Sequence, residues 1–370
     1  MSEDVEKIYN EYAEKGYTDG LPIIPPTRER VNRMLEFTDR KPDDAIGKVP
    51  PSEYEATVEA IASNAVMAGC KPEYFPVVLE AIHGALDRPN LRGALATTGP
   101  CWPMTIGNGP IAKEIGMYSS WGGIGTGPQH RANVTIGRTV TLCMQNIGKS
   151  VPGQTEKKPF FNIWRYGMCF AEAEELIPAP WQPLSVDKGI PKGTSSVSVI
   201  GEGNFVSAGG GGRPSGDFLM DNLNFARNLN KSHNNPPHGV AVNADAIIVF
   251  TPGQARVYTD NGWSKKDLQE FLFDNCRSNP RDWYKDYPAD KREDILRTAF
   301  APAPKWMPSS DLVPLFESPQ SINIVVAGGD PPRTFIHLPT AHCNDPLVTK
   351  PILFTDGTPV KSVYDFKNRK

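Results

Sequence analysis

Two cysteines stand in sequence settings that can stabilise a thiolate. Cys101 lies in the segment TTGPCWPMTIGNGP at positions 97–110, where glycines and prolines precede a predicted helix. Cys343 directly follows His342. A helix N-terminus or a neighbouring histidine lowers the pKa of a thiol, and the thiolate is the reactive form. We therefore expect at least one of these two thiols to be accessible and to attack or reduce a substrate, whereas Cys143 lies on an apolar helical face and should be inert.

Three carboxylates are candidates for moving a proton. Glu172 and Glu174 alternate on a segment predicted to be extended, residues 167–175, so both side chains would point to one face. At that spacing they could share a proton or bind a cation. Asp19, within Thr-Asp-Gly at 18–20, is a further candidate acid. The competing interpretations are a solvated strand face for the glutamates and, for Asp19, a turn residue that binds its own backbone.

Four residues are candidates for substrate binding. Asn108, Asn133 and Arg138 lie in or after glycine-rich segments and offer hydrogen-bond donors that do not titrate. We expect these three to converge on one cleft and to hold an oxyanion. Arg213 lies in a glycine run at 208–217 that could form either an anion-binding nest or a mobile lid.

The sequence assigns neither a cofactor nor a metal ligand. The glycine run at 208–217 matches neither the dinucleotide fingerprint nor the phosphate-loop motif. The histidine pairs 233/238 and 337/342 are five residues apart and lack the helical spacing of a zinc site. The cofactor is therefore left open.

Hydrophobic periodicity predicts the elements that must position these residues. Helices are expected over 3–15, 27–37, 52–68, 73–86, 111–115, 132–147, 217–228, 252–260 and 264–276, and strands over 91–98, 196–200, 244–250 and 322–327. Alternating strands and helices predict an α/β fold with two domains. Residues 1–190 would form a helix-rich substrate-binding domain with glycine-rich loops, and residues 191–370 an α/β domain with an open, mainly parallel sheet.

Composition narrows the class of partner. The 370 residues carry a net charge of −3, which gives no basic footprint for nucleic acid or anionic lipid. No stretch has the length of a membrane span and the N-terminus is acidic, so we expect a cytoplasmic protein with a small-molecule substrate. The six cysteines include no CxxC pair and should be reduced thiols. We also expect a homo-oligomer.

Seven segments carry a resemblance to known proteins, namely residues 18–27, 64–73, 108–110, 131–138, 172–181, 252–271 and 326–350. These segments resemble a sparsely characterised bacterial family associated with UGSC-motif thiol and selenol proteins. The resemblance implies small-molecule metabolism with thiol or selenol redox chemistry and a small thiol or selenol partner protein. Proteins of this kind are loosely labelled thioredoxin-like, but the chain contains neither the UGSC signature nor a CxxC pair, so that label is not carried over.

These features favour a cysteine-dependent enzyme that acts on a carboxylated or carbonyl-bearing substrate. In this hypothesis a thiolate at Cys101 or Cys343 reacts, and a glutamate handles the proton. One alternative is a cysteine-independent lyase or hydratase that uses the carboxylates, with or without a metal. The other is a noncatalytic subunit of a thiol or selenol reductase complex, whose partner carries the reactive group.

Overall fold

A computed structural model describes residues 5–96, 102–158, 163–202, 204–207, 216–232, 245–278, 288–291, 312–331, 334–338 and 346–369. The helices are α1 (Val5–Glu14), α2 (Arg28–Leu35), α3 (Val58–Ala68), α4 (Phe75–Leu86), α5 (Leu91–Ala96), α6 (Pro110–Glu114), α7 (Arg131–Asn146), α8 (Leu184–Asp187), α9 (Phe218–Ser232), α10 (Pro252–Asp260), α11 (Lys265–Asn275) and α12 (Asp365–Asn368). Within these ranges, no helix combines the length and the apolar character needed to cross a membrane.

Two four-stranded sheets dominate the strand content. The strands are β1 (Ala45–Val49), β2 (Tyr54–Thr57), β3 (Trp102–Asn108), β4 (Met168–Ala171), β5 (Ser196–Glu202), β6 (Asn204–Ser207), β7 (Ala246–Phe250), β8 (Arg277–Ser278), β9 (Val313–Pro314), β10 (Ile322–Val326), β11 (Thr334–Leu338) and β12 (Val348–Pro351). The first sheet has the order β12-β5-β3-β4 and the second the order β10-β7-β11-β6. The pairs β1-β2 and β8-β9 form two-stranded sheets.

The two large sheets pack face to face between two layers of helices. Alternate side chains of β3, β4 and β5 meet those of β7 and β10 in one apolar cluster, which includes Met104, Phe170, Ile200, Val249 and Val325. The opposite face of the first sheet packs on α3, α4 and α7. The opposite face of the second sheet packs on α9, α10 and α11. Because strand side chains alternate in direction, each sheet contributes to two cores and the molecule has four layers, helix–sheet–sheet–helix.

The α/β class predicted from the sequence is confirmed, whereas the sheet arrangement differs from the prediction. Strands β7 and β10 are parallel, as their buried apolar runs suggested, but β11 pairs antiparallel to both β7 and β6. The second sheet is therefore mixed, not mainly parallel. The first sheet pairs β3 with β5 and β5 with β12, so strands from both sides of residue 190 share it. Strand pairing thus does not separate the chain at that position.

Most predicted helices are present, and one predicted strand is wrong. Thr27 caps α2 by accepting a hydrogen bond from the Arg30 N–H, and Gly69 ends α3 in a left-handed conformation, as the sequence indicated. The apolar run 91–98 was expected to be a strand, but its first six residues form α5. A short apolar run fits either element, so its length alone could not decide.

Candidate functional site

The carboxyl ends of four strands meet at one edge of the molecule. Strands β3 and β4 are parallel neighbours, and so are β7 and β10. Ala173, just after β4, donates its N–H to the carbonyl of Val326 at 2.7 Å. Ala327 in turn donates to the carbonyl of Phe250 at 2.9 Å. The ends of both sheets are therefore joined by backbone hydrogen bonds, at the edge where α/β sheets commonly bind ligands.

Asn108 lies at this edge between two carboxylates. Its Nδ2 donates to Glu172 Oε2 at 2.7 Å and to Glu174 Oε1 at 2.8 Å. Asn108 is 1% exposed, and its Oδ1 is buried without a hydrogen-bond partner among the described residues. The two carboxylates thus fix the orientation of this amide. We call Asn108, Glu172 and Glu174 the strand-end cluster.

Both oxygens of the Glu172 carboxylate accept hydrogen bonds from the protein. Its Oε2 accepts the N–H of Leu184 at 2.7 Å as well as the Asn108 amide, and its Oε1 accepts the N–H of Val326 at 3.2 Å. Burial raises the pKa of Glu172 above its ordinary value of 4.5, while the positive charge of Lys265 and these three donors lower it and offset part of that rise. The carboxylate therefore ties β3, α8 and β10 together.

Glu174 is held at one oxygen only. It begins a short 3₁₀ turn, Glu174–Leu176, and is half-buried. Its Oε1 accepts the N–H of Gly109 at 2.7 Å in addition to the Asn108 amide. No described residue forms a hydrogen bond to its Oε2. One oxygen is thus fixed while the other remains able to accept a proton from a bound molecule.

Gly109 permits this arrangement through its lack of a side chain. Its φ is +87°, a conformation that residues with a Cβ rarely adopt. A Cβ at this position would also lie 2.6 Å from the Cα of Ser195. The chain can therefore turn from β3 into α6 close enough to Ser195 for the Gly109 N–H to reach Glu174.

Lys265 is a buried cation that sequence reasoning did not identify. It is 7% exposed, and its Nζ donates to Asp187 Oδ2 at 2.7 Å and to the carbonyl of Ile324 at 2.9 Å. Lys265 opens α11 beside charged Lys266 and Asp267, a pattern typical of a solvated helix start. Nothing in that pattern marks its burial, which depends on the packing of α11 against β10.

Asn133 holds a loop and has no donor left for a substrate. Its Oδ1 accepts the N–H of Tyr118 at 2.9 Å, and its Nδ2 donates to the carbonyls of Tyr118 at 2.8 Å and Gly123 at 3.3 Å. Tyr118 also accepts a long hydrogen bond from Ala171 at the end of β4, at 3.5 Å. Asn133 is thus close to the strand-end cluster in the fold but acts on the loop backbone.

Arg138 and Asp19 form a separate buried ion pair. Arg138 donates through Nε to Asp19 Oδ2 at 2.8 Å and through Nη2 to Oδ1 at 2.7 Å. The side chains are only 10% and 7% exposed. Arg138 Nη2 also donates to the carbonyl of Leu21 at 3.2 Å. These bonds attach the segment after α1 to α7. None of these bonds involves the strand-end cluster. Asn108, Asn133 and Arg138 share no hydrogen-bond partner among the described residues, and their convergence on one cleft stays a prediction.

Cys101, Cys343 and Arg213 lie outside the described residues. The four described cysteines, at 70, 143, 169 and 276, are buried. Burial raises the pKa of Cys70 to about 11 and raises that of the other three further above the ordinary value of a thiol. The prediction that Cys143 faces the core is confirmed, since it is 0% exposed. These four thiols are protonated near neutral pH.

The two ends of strand β3 lie far apart. Trp102, next to Cys101 in sequence, begins β3, and Asn108 ends it. Residues 102 and 108 are about 20 Å apart along an extended strand. A single small substrate would not contact both ends of β3.

No family model, curated protein or solved structure matches the chain. The resemblance to the UGSC-associated proteins therefore stays a prediction. Within the part of the chain that the structure describes, no group of three or more His, Cys, Asp or Glu side chains is placed to hold a metal ion.

Proposed function

We propose that this chain is an enzyme of small-molecule metabolism that transfers a proton to and from a carbonyl- or carboxyl-bearing substrate at Glu174. The observation that supports this proposal is the asymmetry of the Glu174 carboxylate. Two N–H groups, from Asn108 and Gly109, fix its Oε1 at 2.8 and 2.7 Å, while no described residue bonds to Oε2. A fixed, half-buried carboxylate at a strand end is suited to act as a general base.

The reaction class that this arrangement supports is elimination or hydration. Glu174 accepts the proton from the carbon next to the substrate carbonyl, and the C–H electron pair forms the new double bond. The hydroxyl on the following carbon leaves and receives the proton from Glu174, so that water is released and the carboxylate is regenerated. Hydration is the reverse of these steps. No oxidant or cysteine is needed.

The experiment is solvent-proton exchange. The purified full chain is incubated in D₂O with a panel of ketones and hydroxy and keto acids, and deuterium at the carbon next to the carbonyl is followed by NMR. Glu174→Gln should lower the exchange rate about 100-fold or more, because an amide cannot accept the proton. Glu175→Gln is the matched control, since Glu175 is the next residue, is exposed and pairs with Lys113 at 2.6 Å. It should retain the wild-type rate.

The cysteine-dependent reaction is a second candidate, and one observation supports it. The ring of Trp102, next to Cys101 in sequence, has the guanidinium carbon of Arg165 at 4.6 Å and Lys158 Nζ at 5.5 Å from its centroid. Both cations pair with the buried carboxylate of Glu156, so these three side chains carry one net positive charge, and positive charge favours a thiolate. In the same assay, exchange that survives Glu174→Gln but disappears in the Cys101→Ser/Cys343→Ser double variant would reject the carboxylate mechanism in favour of this one.

A further inference from the structure

Trp121 is a large apolar side chain that the fold exposes and yet holds in place. It is 63% exposed. Asn133 binds Tyr118 and Gly123 on either side of it, and the ring of His130 contacts the Gly122 carbonyl at 2.8 Å. These bonds anchor the loop, so the exposed indole offers a positioned aromatic face on which a ligand can stack.

The indole of Trp121 rests directly on a glycine of the second sheet. A Cβ added to Gly329, which follows β10, would lie 2.5 Å from Cδ2 and 2.6 Å from Cε3 of Trp121. Gly328 donates its N–H to the carbonyl of Ser119 at 2.7 Å and joins the two loops. The backbone at Gly329 thus supports one side of the ring, while the rest of the indole faces solvent.

This ring lies at the same edge as the strand-end cluster. Tyr118 O accepts from the N–H of Ala171, the residue before Glu172. Gly328 lies two residues after Val326, which bonds to both Glu172 and Ala173. The loop that carries Trp121 is therefore bonded to the ends of β4 and β10, the strand ends beside which Glu172 and Glu174 lie.

We propose that Trp121 forms a stacking subsite, and that the substrate is a carbonyl compound conjugated to a flat ring. The proposal rests on the proposed function in taking the substrate to bind at this edge. A flat ring can stack on the exposed indole because aromatic faces attract one another in offset geometry. A saturated ring of the same size cannot make this contact over its whole face.

The test compares two neutral ketones of similar size, acetophenone and cyclohexyl methyl ketone, by saturation-transfer NMR titration. Acetophenone should bind the wild-type chain more tightly than the saturated ketone. Trp121→Ala should weaken acetophenone binding about tenfold, and Trp121→Phe should retain most of it. Tyr54→Ala removes an aromatic side chain of similar exposure, 60%, from the β1-β2 hairpin and should change nothing.

Gly329→Ala provides an independent variant that keeps the tryptophan. Its Cβ would displace the indole, so acetophenone binding should weaken as in Trp121→Ala, and the double variant should show no further loss. Equal affinity for the two ketones, or equal loss in Trp121→Ala and Tyr54→Ala, would overturn the subsite. If Trp121→Ala does not fold, wild-type affinity in Gly329→Ala would overturn it.

The experiments can reject the stacking subsite and the proposed base independently of each other. Acetophenone binding does not require proton transfer, so the ratio of acetophenone affinities between wild type and Trp121→Ala reports on the subsite without reporting on the base. Trp121-dependent binding together with unchanged exchange in Glu174→Gln would reject the base and leave the subsite. If Glu174→Gln loses exchange but acetophenone binding does not depend on Trp121, the subsite is rejected and the base is supported.

Discussion

The strand-end cluster and the Asp19–Arg138 pair both contain carboxylates that are bound by protein donors, but the two groups use their hydrogen-bonding capacity differently. Asp19 and Arg138 satisfy each other through two bonds of 2.7 and 2.8 Å. In the strand-end cluster, the Asn108 amide donates to both carboxylates. Glu174 retains one oxygen that forms no hydrogen bond to the described residues. The comparison teaches that residue type alone does not distinguish the two groups. Our proposal distinguishes Glu174 by the oxygen to which no described residue forms a hydrogen bond.

The largest expected effect is the loss of stability when the carboxylate of Glu172 is removed. Glu172→Ala should lower the free energy of unfolding by about 3–5 kcal/mol, because it leaves three N–H donors without their acceptor and removes a buried negative charge that interacts with Lys265. Urea unfolding followed by circular dichroism measures this loss. Glu175→Ala, which removes an exposed carboxylate, should cost less than about 1 kcal/mol. Equal losses in the two variants would mean that Glu172 does not join the sheets.

The ion pair should matter for stability and not for chemistry. Asp19→Asn should lower the free energy of unfolding by about 2–3 kcal/mol, since Arg138 keeps a buried charge while its partner becomes neutral. The exchange rate should stay within about threefold of wild type because the pair does not bond to the strand-end cluster. Glu53→Gln, in an exposed pair with Arg92 at 2.6 Å, is the control and should cost less than about 1 kcal/mol. A large loss of exchange in folded Asp19→Asn would place the pair in the site.

The sequence predicted most of the helices, but it did not predict which strands pair. Residues 252–260 were predicted as a helix with its observed bounds, because Thr251 and Pro252 mark its start. The two glutamates were expected to reach one face, and both contact Asn108, although β4 ends at Ala171 before either of them. Their shared partner could not be predicted, since it depends on the pairing of β3 with β4, which are more than fifty residues apart in the chain.

Strand β3 illustrates why local signals failed at the site itself. Pro103, Gly107 and Gly109 favour a loop, yet residues 102–108 form a strand between β4 and β5. A Cβ at position 107 would lie 2.7 Å from Cε and Sδ of Met117, so the end of that side chain would have to shift. Long-range packing therefore overrides the local preference of these residues for a turn.

The smallest expected effect is the pH dependence of the Glu172 contribution. Burial raises the pKa of Glu172 in the folded state, so its contribution to stability is complete below its ordinary pKa of 4.5 and decreases as the pH rises through the raised value. Glu172→Gln does not titrate at this position. The difference in unfolding free energy between wild type and Glu172→Gln should therefore be larger at pH 5 than at pH 8. A difference that grows with pH would mean that folding lowers this pKa.

Our central claim is that Glu172 stabilises the fold and Glu174 transfers the proton. The most direct test compares Glu172→Gln with Glu174→Gln and records, for each variant, the unfolding free energy and the exchange rate per folded molecule. Glutamine can keep both N–H bonds that Glu174 accepts at its single oxygen, but it cannot replace Glu172, whose two oxygens both accept. We predict that Glu174→Gln stays within about 1 kcal/mol of wild-type stability and loses about 100-fold or more of the exchange rate. A Glu174→Gln protein that exchanges protons at the wild-type rate would contradict the account.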